Sequence, residues 1–139
     1  MKVAVIYWSG TGNTEAMAKA VEEGAKAAGA ESSLFTVTDI KPDDVVAYDG
    51  VALGCPAMGD EVLEESDFQP FFDAVQTKLA GKKVVLFGSY GWGDGAWMRT
   101  WEDDCKSAGI ALVAESVICQ DAPSGDVIEK LKAAGAAIA

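Results

Sequence analysis

Three short stretches carry groups suited to holding a small, anionic, planar molecule. The first is Ser9-Gly10-Thr11-Gly12-Asn13-Thr14, which follows the apolar run Val3-Ala4-Val5-Ile6-Tyr7-Trp8 and precedes a helical pattern from Glu15. Its two glycines permit a tight, left-handed backbone, and its three hydroxyls and one amide offer hydrogen bonds. Behind them lie the free N–H groups and positive dipole end of a helix N-terminus. This is the chemistry of a phosphate cradle, and equally that of a glycine-rich turn with a helix cap. A triphosphate loop would end in Gly-Lys-Ser/Thr where this chain has Asn13-Thr14-Glu15, and a dinucleotide fingerprint would need a third glycine at Glu15. Neither pattern is met.

The second stretch is Pro56-Ala57-Met58-Gly59-Asp60-Glu61, and the third is Ser89-Tyr90-Gly91-Trp92-Gly93-Asp94. Each sets a large apolar side chain, Met58 or Trp92, beside glycine in a segment expected to face solvent. A flat ligand between a thioether and an indole would cover both, each contact contributing about 0.5–1.5 kcal/mol beyond area burial. The plainer alternatives are that Met58 plugs the sheet end and Trp92 caps a turn. Trp97, Trp101, Cys105 and Ala108 follow helical spacing and read as core. Trp8 reads as a packing residue.

The elements that must position these stretches alternate in type. Apolar runs at 2–8, 31–37, 51–55, 83–88 and 111–118 read as five strands, separated by helical patterns at 14–28, 67–79, 95–108 and 123–137. Turn chemistry at Pro42-Asp43-Asp44 leaves room for a fragmentary helix over 41–49. Near-continuous apolar strands between helices predict a parallel sheet covered on both faces, in the doubly wound order 2-1-3-4-5. Ligands of such sheets lie beyond the carboxyl ends of the strands at the switch between strands 1 and 3, where the three stretches should meet. The expectation is a single α/β domain over residues 1–139.

Composition narrows the partners. There are 22 acidic against 11 basic residues, a net charge of −11 and no histidine, which excludes partners that demand basic patches, nucleic acid and anionic membranes among them. Three cysteines, widely spaced and without a C-x-x-C pair, suggest neither a disulfide framework nor a zinc site, and fit a reducing cytoplasm. No leader-like or membrane-length apolar segment is evident.

In order and spacing, Ser9-Gly10-Thr11-Gly12-Asn13-Thr14, Met58-Gly59-Asp60-Glu61 and Tyr90-Gly91-Trp92-Gly93-Asp94 together resemble the short-chain flavodoxins of anaerobic bacteria. The likeness extends over essentially the whole chain. It implies a flavodoxin-like three-layer sandwich and a non-covalently bound flavin mononucleotide (FMN), with phosphate in the first stretch and the ring between Met58 and Trp92. It further implies that the Gly59-Asp60 peptide turns its carbonyl toward flavin N5 on reduction, and that the Glu61 carboxylate accepts from flavin N3–H. The implied role is a low-potential one-electron carrier, not an enzyme. It would cycle through a neutral semiquinone and an anionic hydroquinone, as a monomer serving redox enzymes that use ferredoxin or flavodoxin.

Asp60, Glu61, Glu64, Glu65, Asp67 and Asp94 are expected near the ring. At ~10 Å and an effective dielectric of ~40, one carboxylate opposes the second electron by about 0.8 kcal/mol, roughly 35 mV. Pro56 departs from relatives that place a hydroxyl there, and Gln120 and Asp121 fall near the pyrimidine edge. Two other readings share the fold. A flavin-dependent NAD(P)H reductase would need an open ring face. A phosphate-accepting receiver domain would need an aspartate ending strand 3, where Cys55-Pro56 stands.

Overall fold

In the computed structural model, which describes residues 1–59 and 61–139, five strands form one sheet of order β2-β1-β3-β4-β5. They are β1 (Lys2–Tyr7), β2 (Glu31–Thr36), β3 (Gly50–Gly54), β4 (Lys83–Tyr90) and β5 (Val117–Gln120), and every pairing is parallel. The helices are α1 (Asn13–Ala27), α2 (Phe68–Val75), α3 (Ala96–Ser107) and α4 (Gly125–Ile138). The 41–49 segment holds a 3-10 helix over Pro42–Ala47, and a second, Gln76–Lys78, extends α2. The order is the one that alternating apolar strands and right-handed crossovers predict.

Strand alternation divides the interior into two layers. Ala4, Ile6, Val51, Leu53, Val84 and Leu86 face one side, where Phe68 and Phe72 of α2 meet Trp97 and Trp101 of α3. Val3, Val5, Tyr7, Ala52, Val85 and Phe87 face the other, beneath Met17 and Val21 of α1 and Leu131 and Ile138 of α4. Phe68 and Phe72 meet the Trp101 ring edge-on at 5.4 and 5.9 Å, so the Trp97-Trp101-Cys105 stripe is core as its spacing predicts. On the opposite face α1 and α4 touch backbone to backbone. A Cβ on Gly24 would strike the Lys132 main chain, and one on Gly135 would strike that of Val21.

One strand is displaced from its expected position. The apolar run 111–118 predicts a continuous fifth strand, but Ala111–Val113 makes only an isolated bridge, Leu112 to Val84, and β5 proper begins at Val117 opposite Phe87. Between those contacts β4 advances three residues and its partner five, so two extra residues are looped out. Ser116 in that loop donates to Glu102 of α3 at 2.7 Å, and Val113 stands 42% exposed. The displacement carries β5 on to Gln120, level with Tyr90 at the end of β4.

Candidate functional site

Because every strand is parallel, the loops after β1, β3, β4 and β5 emerge at one edge. A cleft of about 220 Å³ opens there. The first loop lines it with Trp8, Gly10, Thr11 and Asn13, the second with Pro56, Ala57 and Met58, the third with Ser89, Tyr90 and Gly91, and the fourth with Asp121.

The first loop is shaped by its glycines. Gly12 precedes α1 at φ 95°, a left-handed position open to glycine, and donates its N–H to Ser9 Oγ at 3.1 Å. This bond folds Ser9 back over the loop. Gly10, Thr11 and Gly12 are exposed, and among the described residues no side chain caps α1 where it opens at Asn13, so its N-terminal N–H groups stay available to an anion. Thr14 is different: it is 1% exposed, and its hydroxyl pairs with Ser89 Oγ at 3.2 Å, tying the first loop to the end of β4. Ser9 and Gly12 line a second groove, of about 400 Å³, on the far side of Trp8. There Tyr7 donates its hydroxyl to Glu15 Oε2 at 2.9 Å; burial, reinforced by that carboxylate, pushes the phenol up to about 12.

In the second loop, Ala57 N–H donates to the Ser89 carbonyl at 3.0 Å. Met58 and Val62 form an antiparallel bridge, and Glu61 N–H donates to the Met58 carbonyl at 2.7 Å. Asp60 lies outside the described residues, so what is expected of it and of the Gly59-Asp60 peptide has no counterpart here. Glu61 sits at φ 54°, and its carboxylate accepts the Asp94 N–H at 3.2 Å, joining the second and third loops. A Cβ on Gly93 would overlap that carboxylate, which is why glycine stands there.

Trp92 is 63% exposed on a loop flanked by Gly91 and Gly93, next to the cleft wall. An indole so uncovered beside a cleft whose far end is a helix N-terminus suits a ligand with a flat ring and an anionic tail. The residues present therefore fit a flavin nucleotide.

Two of the acids expected around the ring are otherwise engaged. Glu64 is 7% exposed and aims away, accepting N–H bonds from Ser66, Asp67 and Phe68 at 2.8, 2.7 and 2.9 Å and so capping α2. Burial pushes its carboxyl up, but the donors from Phe68, Asp67 and Ser66 outweigh it and hold the group below the ordinary carboxylate range. Asp94 is paired with Arg99 at 3.0 Å. Glu65 is exposed, and Asp67 lines the second groove.

The sequence foretold two further cleft residues unequally: Asp121 is expected at this edge and lines the cleft, whereas Trp8 is not expected there. Trp8, taken for a packing residue, is half-buried and does pack against the core, but it also lines both hollows, its ring over Gly10. Its place as the first residue beyond β1 was the available signal. Asp121 is a non-glycine residue at φ 58°, held by its N–H to the Tyr90 carbonyl at 2.8 Å, while Gln120 Nε2 donates to the Gly91 carbonyl at 3.2 Å.

Comparison with known proteins agrees with this geometry. The family model described as Flavodoxin matches residues 5–135. A flavodoxin from Clostridium beijerinckii is 49% identical over 119 residues, 86% of each chain. Another, from Megasphaera elsdenii, is 49% identical over 116 residues, 84% of this chain and 85% of that one. The solution structure of two-electron reduced Megasphaera elsdenii flavodoxin superposes with a TM-score of 0.88 at 46% identity, covering 96% of this chain and 98% of that one. Family model, relatives and fold agree: the chain belongs to the flavodoxin family, whose members bind FMN and carry electrons to redox enzymes rather than acting as enzymes themselves.

Proposed function

We propose that this chain is a low-potential, one-electron carrier that binds FMN non-covalently at the edge where the loops after β1, β3 and β4 meet. The observation that carries the reading is the cleft itself, with three glycine-bearing loops on its walls and a 63% exposed Trp92 beside it. The phosphate belongs with Ser9, Gly10, Thr11, Gly12, Asn13 and Thr14, where backbone N–H groups and hydroxyls supply the donors without a cationic side chain. Thr14 acts from beneath, through Ser89. Pro56, Ala57, Met58 and Gly59 flank the inner face of the ring, and Tyr90, Gly91, Trp92 and Gly93 the outer. Pro56 donates nothing, so neighbouring hydroxyls carry more of the phosphate contact.

Bound FMN would supply two one-electron steps, through a neutral semiquinone and an anionic hydroquinone. The chain's part is to separate the two potentials. The Gly59 carbonyl is the group that would accept a hydrogen bond from a protonated flavin nitrogen, and the Glu61 carboxylate keeps free lone pairs for flavin N3–H beside its bond to Asp94. Glu65, Asp67 and Asp121 oppose added negative charge. With Glu64 turned to α2 and Asp94 beside Arg99, that opposition is weaker than a count of acids suggests. A net charge of −11 disfavours self-association and three buried, unpaired thiols suit a reducing compartment, supporting a monomeric single domain over residues 1–139 in the cytoplasm.

Fluorescence titration of FMN with the purified protein tests the assignment. Tight quenching is expected for the wild type, with roughly tenfold weaker binding for Trp92→Ala from lost stacking and area. Wild-type protein that leaves FMN fluorescence unquenched would contradict it.

A further inference from the structure

The loop that carries Trp92 ought to be loose. Glycine occupies positions 91, 93 and 95, and Gly93 and Gly95 adopt left-handed φ of 88° and 90°. A clamp on this loop is only as well placed as the loop is. One tie comes from β5, where Gln120 Nε2 donates to the Gly91 carbonyl at 3.2 Å; the tie on the Asp94 side comes from α3. Arg99, the only arginine in the chain, reaches back so that Nη1 donates to the Asp94 carbonyl and Nη2 to Asp94 Oδ1, each at 3.0 Å. Asp94 in turn donates its N–H to Glu61 Oε1 at 3.2 Å, on the second loop. One guanidinium therefore closes a chain of bonds from α3 through the Trp92 loop to the Glu61 loop.

The position of this arginine is otherwise unfavourable. It lies in the first turn of α3, a turn without an acidic residue, where a cation opposes the helix dipole. A residue that breaks a local rule in this way needs a compensating contact, and the fork on Asp94 provides it. Lysine could match the charge but not the planar two-point hold.

From this we infer that Arg99 is a positioning residue for the flavin clamp: its fork places the 92–94 segment and Glu61, and its charge is a cation next to the ring site among surrounding acids. The inference rests on the proposed flavin site. Placement and charge separate in two variants, Arg99→Gln and Arg99→Lys, studied as FMN-loaded protein. Because the ion pair is exposed, the loss of the fork is modest, and both variants should bind oxidised FMN roughly 2- to 5-fold more weakly. Only Arg99→Gln should lose about threefold more affinity for fully reduced FMN, a fall of about 30 mV in the second potential at 59 mV per tenfold for one electron. That shift should shrink at high salt.

Unchanged oxidised-FMN affinity and unchanged second potential in Arg99→Gln would overturn the assignment. Failure of Arg99→Lys to restore the second potential would overturn its charge component. Wild-type protein that takes up no FMN would overturn the flavin site itself, and the role of Arg99 with it.

Discussion

Replacing Glu64 by Gln separates two roles that an acid beside a flavin can have. In the structure one carboxylate oxygen accepts from both Asp67 and Phe68 and the other from Ser66, with the side chain 7% exposed. Glutamine keeps one acceptor oxygen. Placed toward Asp67 and Phe68 it preserves those bonds in neutral form, at a loss of about 0.5–1 kcal/mol each, and turns an NH2 group on the Ser66 N–H, which costs about 1–2 kcal/mol more. The total is about 3 kcal/mol. At ~2.1 cal/mol/K per residue over 139 residues this lowers Tm by roughly 10 °C.

The pH dependence has a fixed sign. The folded-state pKa of Glu64 is depressed, so its contribution is fully present above the unfolded value of ~4.3 and is lost as pH falls through the folded one. Urea unfolding of both proteins from pH 7 downward should give a stability difference that narrows once pH drops below about 4.3. The second potential should move by less than the ~35 mV assigned to an open carboxylate, since this charge already lies against a helix N-terminus. Equal stability of the two proteins at pH 7, or a large change in potential without a change in stability, would refute the capping role.

Gly24→Ala drives a methyl group into the Lys132 main chain and should cost about 1–3 kcal/mol by thermal unfolding followed by circular dichroism, with flavin affinity at saturating FMN unaltered. Gly59→Ala has open space around its Cβ and no left-handed φ to strain, so unfolding should be unchanged while the gap between the two potentials narrows; an unaltered gap would remove the Gly59 peptide from the redox account. Burial pushes the Cys55 and Cys105 thiols up to about 12 and raises that of Cys119, so native protein at pH 8 should react with a thiol reagent far more slowly than protein in urea, as rapid mixing would measure.

Much of this architecture is legible in the sequence because strands buried on both faces must be apolar at every position. Val3 to Tyr7 and Val84 to Phe87 have no solvated side to disguise them. The break before β5 is marked only by the polar pair Glu115-Ser116 inside the run 111–118, and hydropathy alone does not say that the flanking halves pair with β4 out of register. The three loops could be assigned to one edge because parallel strands end together. Which way a side chain turns at that edge depends on partners remote in sequence. Glu64 reads like its exposed neighbour Glu65 until the backbone N–H groups of Ser66, Asp67 and Phe68 converge on it. Asp94 reads as an open acid until α3 brings Arg99 back to it. Asp121 is placed at this edge by following the fifth strand, but its left-handed φ, with no glycine to mark the turn, is not legible in the sequence.

The most direct measurement is a stepwise reductive titration of the FMN-loaded protein followed by absorbance. Two resolved one-electron steps are expected, with a blue, half-reduced species dominating between them and bleaching as the second electron enters. Passage straight from the oxidised to the fully reduced spectrum, with no half-reduced species accumulating, would contradict this.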